Sequence, residues 1–343
     1  MSQQMRYKLF GHTGLRVSEL CLGTMTFGED WGWGAAKDES RRMYDLFLEA
    51  GGNFIDTANL YTNGTSERFL GEFMGADRHK IVLATKYTNA LPGNDVNAAG
   101  NHRKSMMRSV EESLKRLKTD YIDLYWLHIW DFLTPIDEVM RAFDDLVRQG
   151  KILYAGISDT PAWVVARANT MAELRGWTRF AGLQIEYNLI ERTPERELLP
   201  MAHDLGMAVT PWAPLAAGLL TGKYAAGADA GEPRRIKEPK NDERRVRIVA
   251  EVLAIAKESG HPAAQVALNW LRQQPGTVIP IIGARKATQI ADNIDAIGWK
   301  LSPEQMLRLT EASKIELGFP HDFFARDMVR GFVYGGLRDR IDG

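Results

Sequence analysis

The sequence predicts a (β/α)₈ barrel, an α/β TIM barrel preceded by a β-hairpin, and three observations carry that prediction. Eight short apolar runs alternate with longer segments of helical period. The early runs end at single positions suited to a barrel mouth: Gly23, Asp56, Lys86, His128 and Ser158. An open doubly wound sheet would carry GxGxxG after its first strand, where this chain reads Leu22-Gly23-Thr24-Met25. Length alone, 343 residues, allows one large barrel or two medium domains, and the pattern favours one barrel domain over 1–343.

The segment 7–17, with Gly11-His12-Thr13-Gly14 at its centre, reads as the hairpin and is placed at the barrel's bottom. Strands are expected at 20–22, 53–55, 81–85, 122–127, 153–157, 183–185, 207–210 and 277–279. They are apolar on both faces, as buried parallel strands should be. The first helix, 39–50, stops at Gly51-Gly52. In 103–117, Met106, Val110, Leu114 and Leu117 form one stripe. Segment 135–149 opens after Thr134 as a cap with proline in the first turn, and ends at Gly150. Thr160-Pro161 and Thr193-Pro194 repeat that opening, and 242–259, 262–272, 287–297 and 303–317 supply the other helices. Three connections are longer: 28–37 with Trp31 and Trp33, 87–101, and a loop of 216–241 after the seventh strand. All three follow strand ends, where barrel loops build ligand sites.

Composition narrows the function. Lys and Arg number 43 against 44 Asp and Glu, so a net charge of −1 gives no global reason to bind nucleic acid. The single cysteine, Cys21, excludes an intrachain disulfide and a cysteine metal cluster, and its apolar neighbours make it a buried hydrophobe. No apolar run approaches 18 residues and the first residues hold no signal core, so membrane insertion is not expected and a reducing, cytoplasmic setting is. The seven histidines make no short ligand motif, and no metal is expected.

Asp56 and Tyr61 follow the second strand, Lys86 ends the third and His128 the fourth. Each alone has an ordinary structural reading, as strand cap, packing, ion-pair partner or core imidazole. Jointly they bring a carboxylate, a phenol, an ammonium and an imidazole to one mouth. With NFIDTANLY, IVLATK and YIDLYWLH around those four residues, the chain resembles the aldo-keto reductase superfamily from about Tyr7 to Asn293. The resemblance implies carbonyl reduction with a nicotinamide cofactor on a (β/α)₈ barrel, and a catalytic tetrad of Asp56, Tyr61, Lys86 and His128. The chemistry agrees with it. Hydride addition leaves negative charge on oxygen, which Tyr61 can protonate although an ordinary phenol has a pKa of about 10. Lys86 can stabilise the phenolate, Asp56 orient the lysine and His128 hydrogen-bond the carbonyl.

The same resemblance implies the cofactor side. Gly23, Thr24, Met25 and Asp56 fall near the nicotinamide; Ser158, Asp159 and Gln184 fall at its carboxamide. The family's usual pair there is Ser-Asn, and a carboxylate at Asp159 cannot donate as asparagine does. Trp212 occupies the ring-stacking position where many relatives have tyrosine. Leu215, Gly218, Leu219, Gly222 and Lys223 match the pyrophosphate loop, and Gly283, Arg285, Gln289 and Asn293 the adenosine end. Arg285, a fork of donors suited to a 2′-phosphate, favours NADP(H) over NAD(H). The resulting expectation is an oxidoreductase that reduces a small-molecule aldehyde or ketone with NADPH, Tyr61 donating the proton. The alternative is an NADP(H)-binding regulatory subunit resembling potassium-channel beta subunits. Trp31, Trp33, Tyr87 and Trp130 suit an aromatic or apolar aldehyde, while His102 and Asp131 leave sugar-derived carbonyls open. No motif specifies a protein partner or a homo-oligomer.

Overall fold

A computed structural model describes residues 4–90, 93, 95–224 and 242–341. Most of the expected loop after the seventh barrel strand, 225–241, lies outside these described residues. Strands β1 (Tyr7–Leu9) and β2 (Arg16–Ser18) pair antiparallel, Tyr7 opposite Ser18, and form the expected hairpin. Beyond β1, Phe10 is fully buried and meets the rings of Phe54 and Trp126 edge-on at 5.7 and 6.3 Å. Lys8 Nζ donates to the Val278 carbonyl at 2.7 Å, so the hairpin is tied across the barrel's bottom.

The barrel strands are β3 (Cys21–Gly23), β4 (Phe54–Asp56), β5 (Val82–Tyr87), β6 (Ile122–Leu127), β7 (Ile152–Ser158), β8 (Phe180–Glu186), β9 (Ala208–Trp212) and β10 (Ile281–Ile282). β3 to β9 run parallel in chain order, and β10 lies beside β3. The last strand departs from expectation. The backbone of residues 277–279 pairs with β9, through Val209 N to Thr277 O and Ile279 N to Val209 O at 2.8 and 2.9 Å, whereas Ile281 and Ile282 pair with β3. Pro280 has no N–H and divides the segment between its two neighbours, while its carbonyl accepts from Cys21 N at 3.0 Å. That segment closes the ring.

Side chains alternate along a strand, so counting by two from the interior reaches the mouth. Cys21, Phe54, Val82, Ala84, Leu124, Trp126, Ala208, Ile279 and Ile281 fill the interior with Phe10. One step of two beyond Phe54, Ala84 and Trp126 lie Asp56, Lys86 and His128. Gly182 makes room for this packing: a Cβ there would sit 2.4 Å from the Phe10 ring. Cys21 is the buried free thiol expected of it.

The opposite strand faces pack against α1 (Lys37–Glu49), α2 (Thr65–Met74), α3 (Arg103–Leu117), α4 (Ile136–Arg148), α5 (Ala162–Arg175), α6 (Leu198–Asp204), α8 (Ala263–Arg272) and α9 (Ala287–Ile294), while α7 (Glu243–Ser259) packs on α8 and α10 (Pro303–Ser313) on α7. α11 (His321–Phe324) and α12 (Asp327–Tyr334) follow. On α4, Ile136, Val139, Met140, Phe143 and Leu146 form a buried stripe, each side chain contributing about 1.5–3 kcal/mol of apolar transfer. Thr134 does not cap that helix; its hydroxyl donates to Asp131 Oδ2 at 2.7 Å instead. The Pro161 opening holds, but Thr193-Pro194 yields only a short 3₁₀ turn before α6. Among the described residues, no helix is long and apolar enough to cross a membrane.

Candidate active site

Asp56 is the last residue of β4, Lys86 the penultimate residue of β5, and His128 the first beyond β6. Tyr61 opens a tight turn in which Thr62 (φ 45°) and Asn63 (φ 55°) are left-handed, with Thr62 Oγ1 donating to the Phe27 carbonyl at 2.6 Å. A β-branched residue resists that conformation, so the turn is held by its surroundings. Together these elements place all four predicted groups at one site.

Lys86 and Asp56 are buried and ion-paired through Nζ and Oδ2. Lys86 Nζ also donates to the Thr57 carbonyl at 2.7 Å and to Tyr61 Oη at 3.2 Å. The second Asp56 oxygen accepts from Gln184 Nε2 at 3.0 Å. His128 lies edge-on to Tyr61, ring centres 6.0 Å apart, and its Nδ1 is 3.1 Å from Asn89 Nδ2.

Burial pulls the Lys86 pKa down, but the Asp56 charge and the Tyr61 contact outweigh it and hold the lysine above its ordinary value. For Tyr61 the balance runs the other way: burial raises the phenol, and Lys86 only partly opposes that rise. The phenol therefore stays protonated through neutral pH. Its lysine partner is in place to stabilise the anion left when the proton departs. Burial, reinforced by Lys86, pushes His128 down to about 3, so its ring is neutral at neutral pH.

Tyr61, Asp56 and His128 border a cavity of about 1340 Å³ that extends from the barrel axis over the ends of β3, β7, β8, β9 and β10. A drug-sized ligand needs about 300–1,000 Å³. Gly23, Thr24, Met25, Ser158, Asp159, Gln184, Trp212, Leu215, Gly218, Leu219, Lys223, Gly283, Arg285, Gln289 and Asn293 all line it. Lys86 lies behind the wall. Gly222 is not in the lining; it ends a 3₁₀ turn, where a Cβ would press on Leu253.

Along one edge, Ala213, Ala216, Ala217 and Gly218 all have positive φ, from 47° to 92°. Three alanines in that region are strained, and such backbone concentrates at ligand clamps. A Cβ on Gly218 would come within 2.4 Å of Lys223 Cε, so the lysine can fold back over the loop only because glycine is there. Strained loop, cations and cavity size fit a phosphate-bearing dinucleotide.

Asp159 does not present a free carboxylate: its Oδ1 accepts from Trp212 Nε1 at 3.1 Å, and burial raises its pKa. Gln184, expected at the carboxamide, has its amide on Asp56. Trp33 lines the cavity, and Trp31 bridges it to Tyr61, 5.8 Å from Trp33 and 6.4 Å from Tyr61 between ring centres. Tyr87 and Trp130 are not cavity residues. Tyr87 stacks on Tyr125 at 5.4 Å in the layer between strands and helices, because its neighbour Lys86 faces the interior. His102 caps α3, and Asp131 accepts from the Asn101, Leu133 and Thr134 backbones. Glu186 and Asn188 also border the cavity and were not anticipated, although they continue by twos from Gln184. Asn89 carried no sequence signal.

A family model described as the aldo/keto reductase family matches residues 19–314. The chain is 40% identical over 325 residues to a norsolorinic acid reductase of Aspergillus flavus, covering 92% of this chain and 82% of that protein. It is 39% identical over 339 residues to an aryl-alcohol dehydrogenase [NADP(+)] of Phanerodontia chrysosporium, covering 91% and 86%. An aryl-alcohol dehydrogenase of Pestalotiopsis microspora is 38% identical over 327 residues, covering 92% and 84%.

Proposed function

The chain belongs to the aldo/keto reductase family, a nicotinamide-dependent carbonyl oxidoreductase, and from that premise we propose that it reduces aromatic aldehydes or ketones with NADPH, Tyr61 giving the proton. The observation that carries this reading is the chain of contacts from Asp56 through Lys86 to Tyr61, with His128 facing the phenol across the same cavity. The bound cofactor supplies the hydride. Tyr61 hands its proton to the oxygen on which negative charge develops. Lys86 lowers the cost of the phenolate, and Asp56, itself held by Gln184, keeps the lysine charged. Neutral His128 donates a hydrogen bond that orients the carbonyl.

Trp212 offers an aromatic face for the nicotinamide, with Gly23, Thr24, Met25 and Ser158 beside it. Leu215, Gly218, Leu219 and Lys223 suit the pyrophosphate, while Gly283, Arg285, Gln289 and Asn293 suit the adenosine end. Arg285 is the group suited to a 2′-phosphate, and one relative carries NADP(+) in its name. The Trp31–Trp33 wall beside Tyr61 supports an aryl substrate, in keeping with relatives named for aryl alcohols. A panel of substituted benzaldehydes and aliphatic sugar aldehydes, assayed by NADPH consumption, tests the reading. It expects the aryl aldehydes to lead in kcat/KM by about tenfold, or 1.4 kcal/mol in the transition state. A sugar aldehyde in the lead would remove the aryl assignment, and no turnover with any carbonyl would remove the activity.

A further inference from the structure

We propose that Asn89 is a positioning residue for the reduction: its amide fixes His128 as the Nε2–H tautomer, so that the ring's one proton is the one offered to the substrate carbonyl. The inference rests on the reading of His128 as the carbonyl's partner. Asn89 lies two residues beyond β5, and its Nδ2 is 3.1 Å from His128 Nδ1. An amide nitrogen can only donate, so Nδ1 accepts and the proton of a neutral ring must sit on Nε2. His128 lines the cavity, and with Nδ1 engaged, Nε2 is the nitrogen left for it.

The backbone is bent to make this contact. Thr88, between β5 and Asn89, has φ 95°, a left-handed conformation that a β-branched residue strongly resists. Four hydrogen bonds hold Thr88 there or brace Asn89 beside it. Thr88 Oγ1 accepts from His128 N at 3.3 Å and from Asn101 Nδ2 at 2.9 Å. The Thr88 carbonyl accepts from Gly100 N at 2.8 Å, and Asn59 Nδ2 donates to the Asn89 carbonyl, also at 2.8 Å. Strain over-determined in this way marks a conformation retained for what it positions, here an amide against an imidazole.

The neutral ring is a precondition. Burial and the Lys86 ammonium lower His128 to about 3, and the other titratable group facing it, Tyr61, stays a neutral phenol. A neutral imidazole has one proton, and without Asn89 nothing described at Nδ1 would dictate which nitrogen carries it.

The test begins with imidazole ¹⁵N NMR of the intact protein near pH 7, with the His128 signals assigned by their loss in His128→Gln. The expected spectrum shows Nδ1 unprotonated and Nε2 protonated. In Asn89→Asp, of the same shape but acceptor-only, the tautomer should reverse and the His128 titration should move up toward neutrality. That variant should lose about 10²-fold in kcat, the scale of removing one donor to a developing oxyanion, while KM and NADPH affinity change little. Asn89→Ala, which leaves Nδ1 without a partner, should show both tautomers and a smaller loss of kcat. An Nδ1–H tautomer in the parent overturns the proposal alone, and so does parental kcat in Asn89→Asp. Parallel losses in kcat and NADPH affinity would also overturn it, by making Asn89 a general structural element. Parental kcat in His128→Gln would instead sink the functional reading underneath, together with this inference.

Discussion

Replacing Asp56 with asparagine should destabilise the protein through Lys86 rather than through anything asparagine itself does. The substitution preserves shape and can keep the Gln184 neighbour, but it removes the carboxylate that, among the described residues, pairs with the fully buried Lys86 ammonium. Breaking a buried pair on one side costs about 3–5 kcal/mol, because the remaining charge is stranded. With an unfolding entropy of about 2.1 cal/mol/K per residue, a chain of 343 residues changes by about 0.7 kcal/mol per degree at its midpoint. The expected fall in melting temperature is therefore about 4–7 °C. The pH dependence identifies the cause. In the parent, Lys86 is raised above its ordinary value of 10.5, so its contribution is complete below that pH and is lost above the folded pKa. Without Asp56, burial is the leading influence and pulls the lysine below 10.5, so the folded variant sheds the proton first. Its stability gap to the parent should narrow as pH climbs toward 10.5. The double variant Asp56→Asn/Lys86→Met, with no stranded charge left at this site, should be more stable than Asp56→Asn alone. Calorimetry across pH 7 to 10 reads both effects. A loss below about 1 kcal/mol, constant with pH, would refute the reasoning.

Arg285→Ala should raise the NADPH dissociation constant by about 1.5–3 kcal/mol while leaving NADH affinity nearly unchanged, and fluorescence titration of both cofactors reads the difference. Equal losses would assign the arginine to the pyrophosphate or to packing. His128, lowered to about 3, takes up a proton more readily unfolded than folded, so acidification from about 6.5 toward 3 should destabilise the parent. His128→Gln should lessen that slope by up to about 1.4 kcal/mol per pH unit in urea titrations, and an unchanged slope would move the effect to other groups. Asp159→Leu removes the acceptor of the Trp212 indole; the variant should weaken NADPH binding and change the Trp212 component of the emission, obtained by difference from Trp212→Phe. Unchanged emission would mean that the hydrogen bond does not set the indole's environment.

Much of the barrel was legible because parallel strands buried on both faces announce themselves as apolar runs, and the same regularity located the tetrad. Asp56, Lys86 and His128 terminate such runs on one parity. Where the sequence reading failed, a local rule had been overridden or not applied. Pro280 splits the last strand's pairing, 277–279 to β9 and 281–282 to β3, which a missing N–H could have signalled. Tyr87 looked like a site aromatic, yet alternation from Lys86 already turned it outward. α2 went unread: Thr65–Met74 carries Gly71 and no clear cap, and its N-cap is a left-handed glycine. Asn89 and the Asp159–Trp212 bond were beyond the sequence, since both depend on positive-φ backbone at non-glycine residues that only tertiary contacts explain.

The central claim is that Tyr61 is the proton donor, and single-turnover reduction of an aromatic aldehyde by Tyr61→Phe, with NADPH affinity measured on the same sample, tests it most directly. The phenyl ring keeps the packing against Trp31 and His128 and lacks only the hydroxyl bonded to Lys86. The account predicts a hydride-transfer step slowed by about 10²–10⁴-fold with NADPH affinity preserved. A folded variant that reduces the aldehyde at close to the parental rate would contradict it.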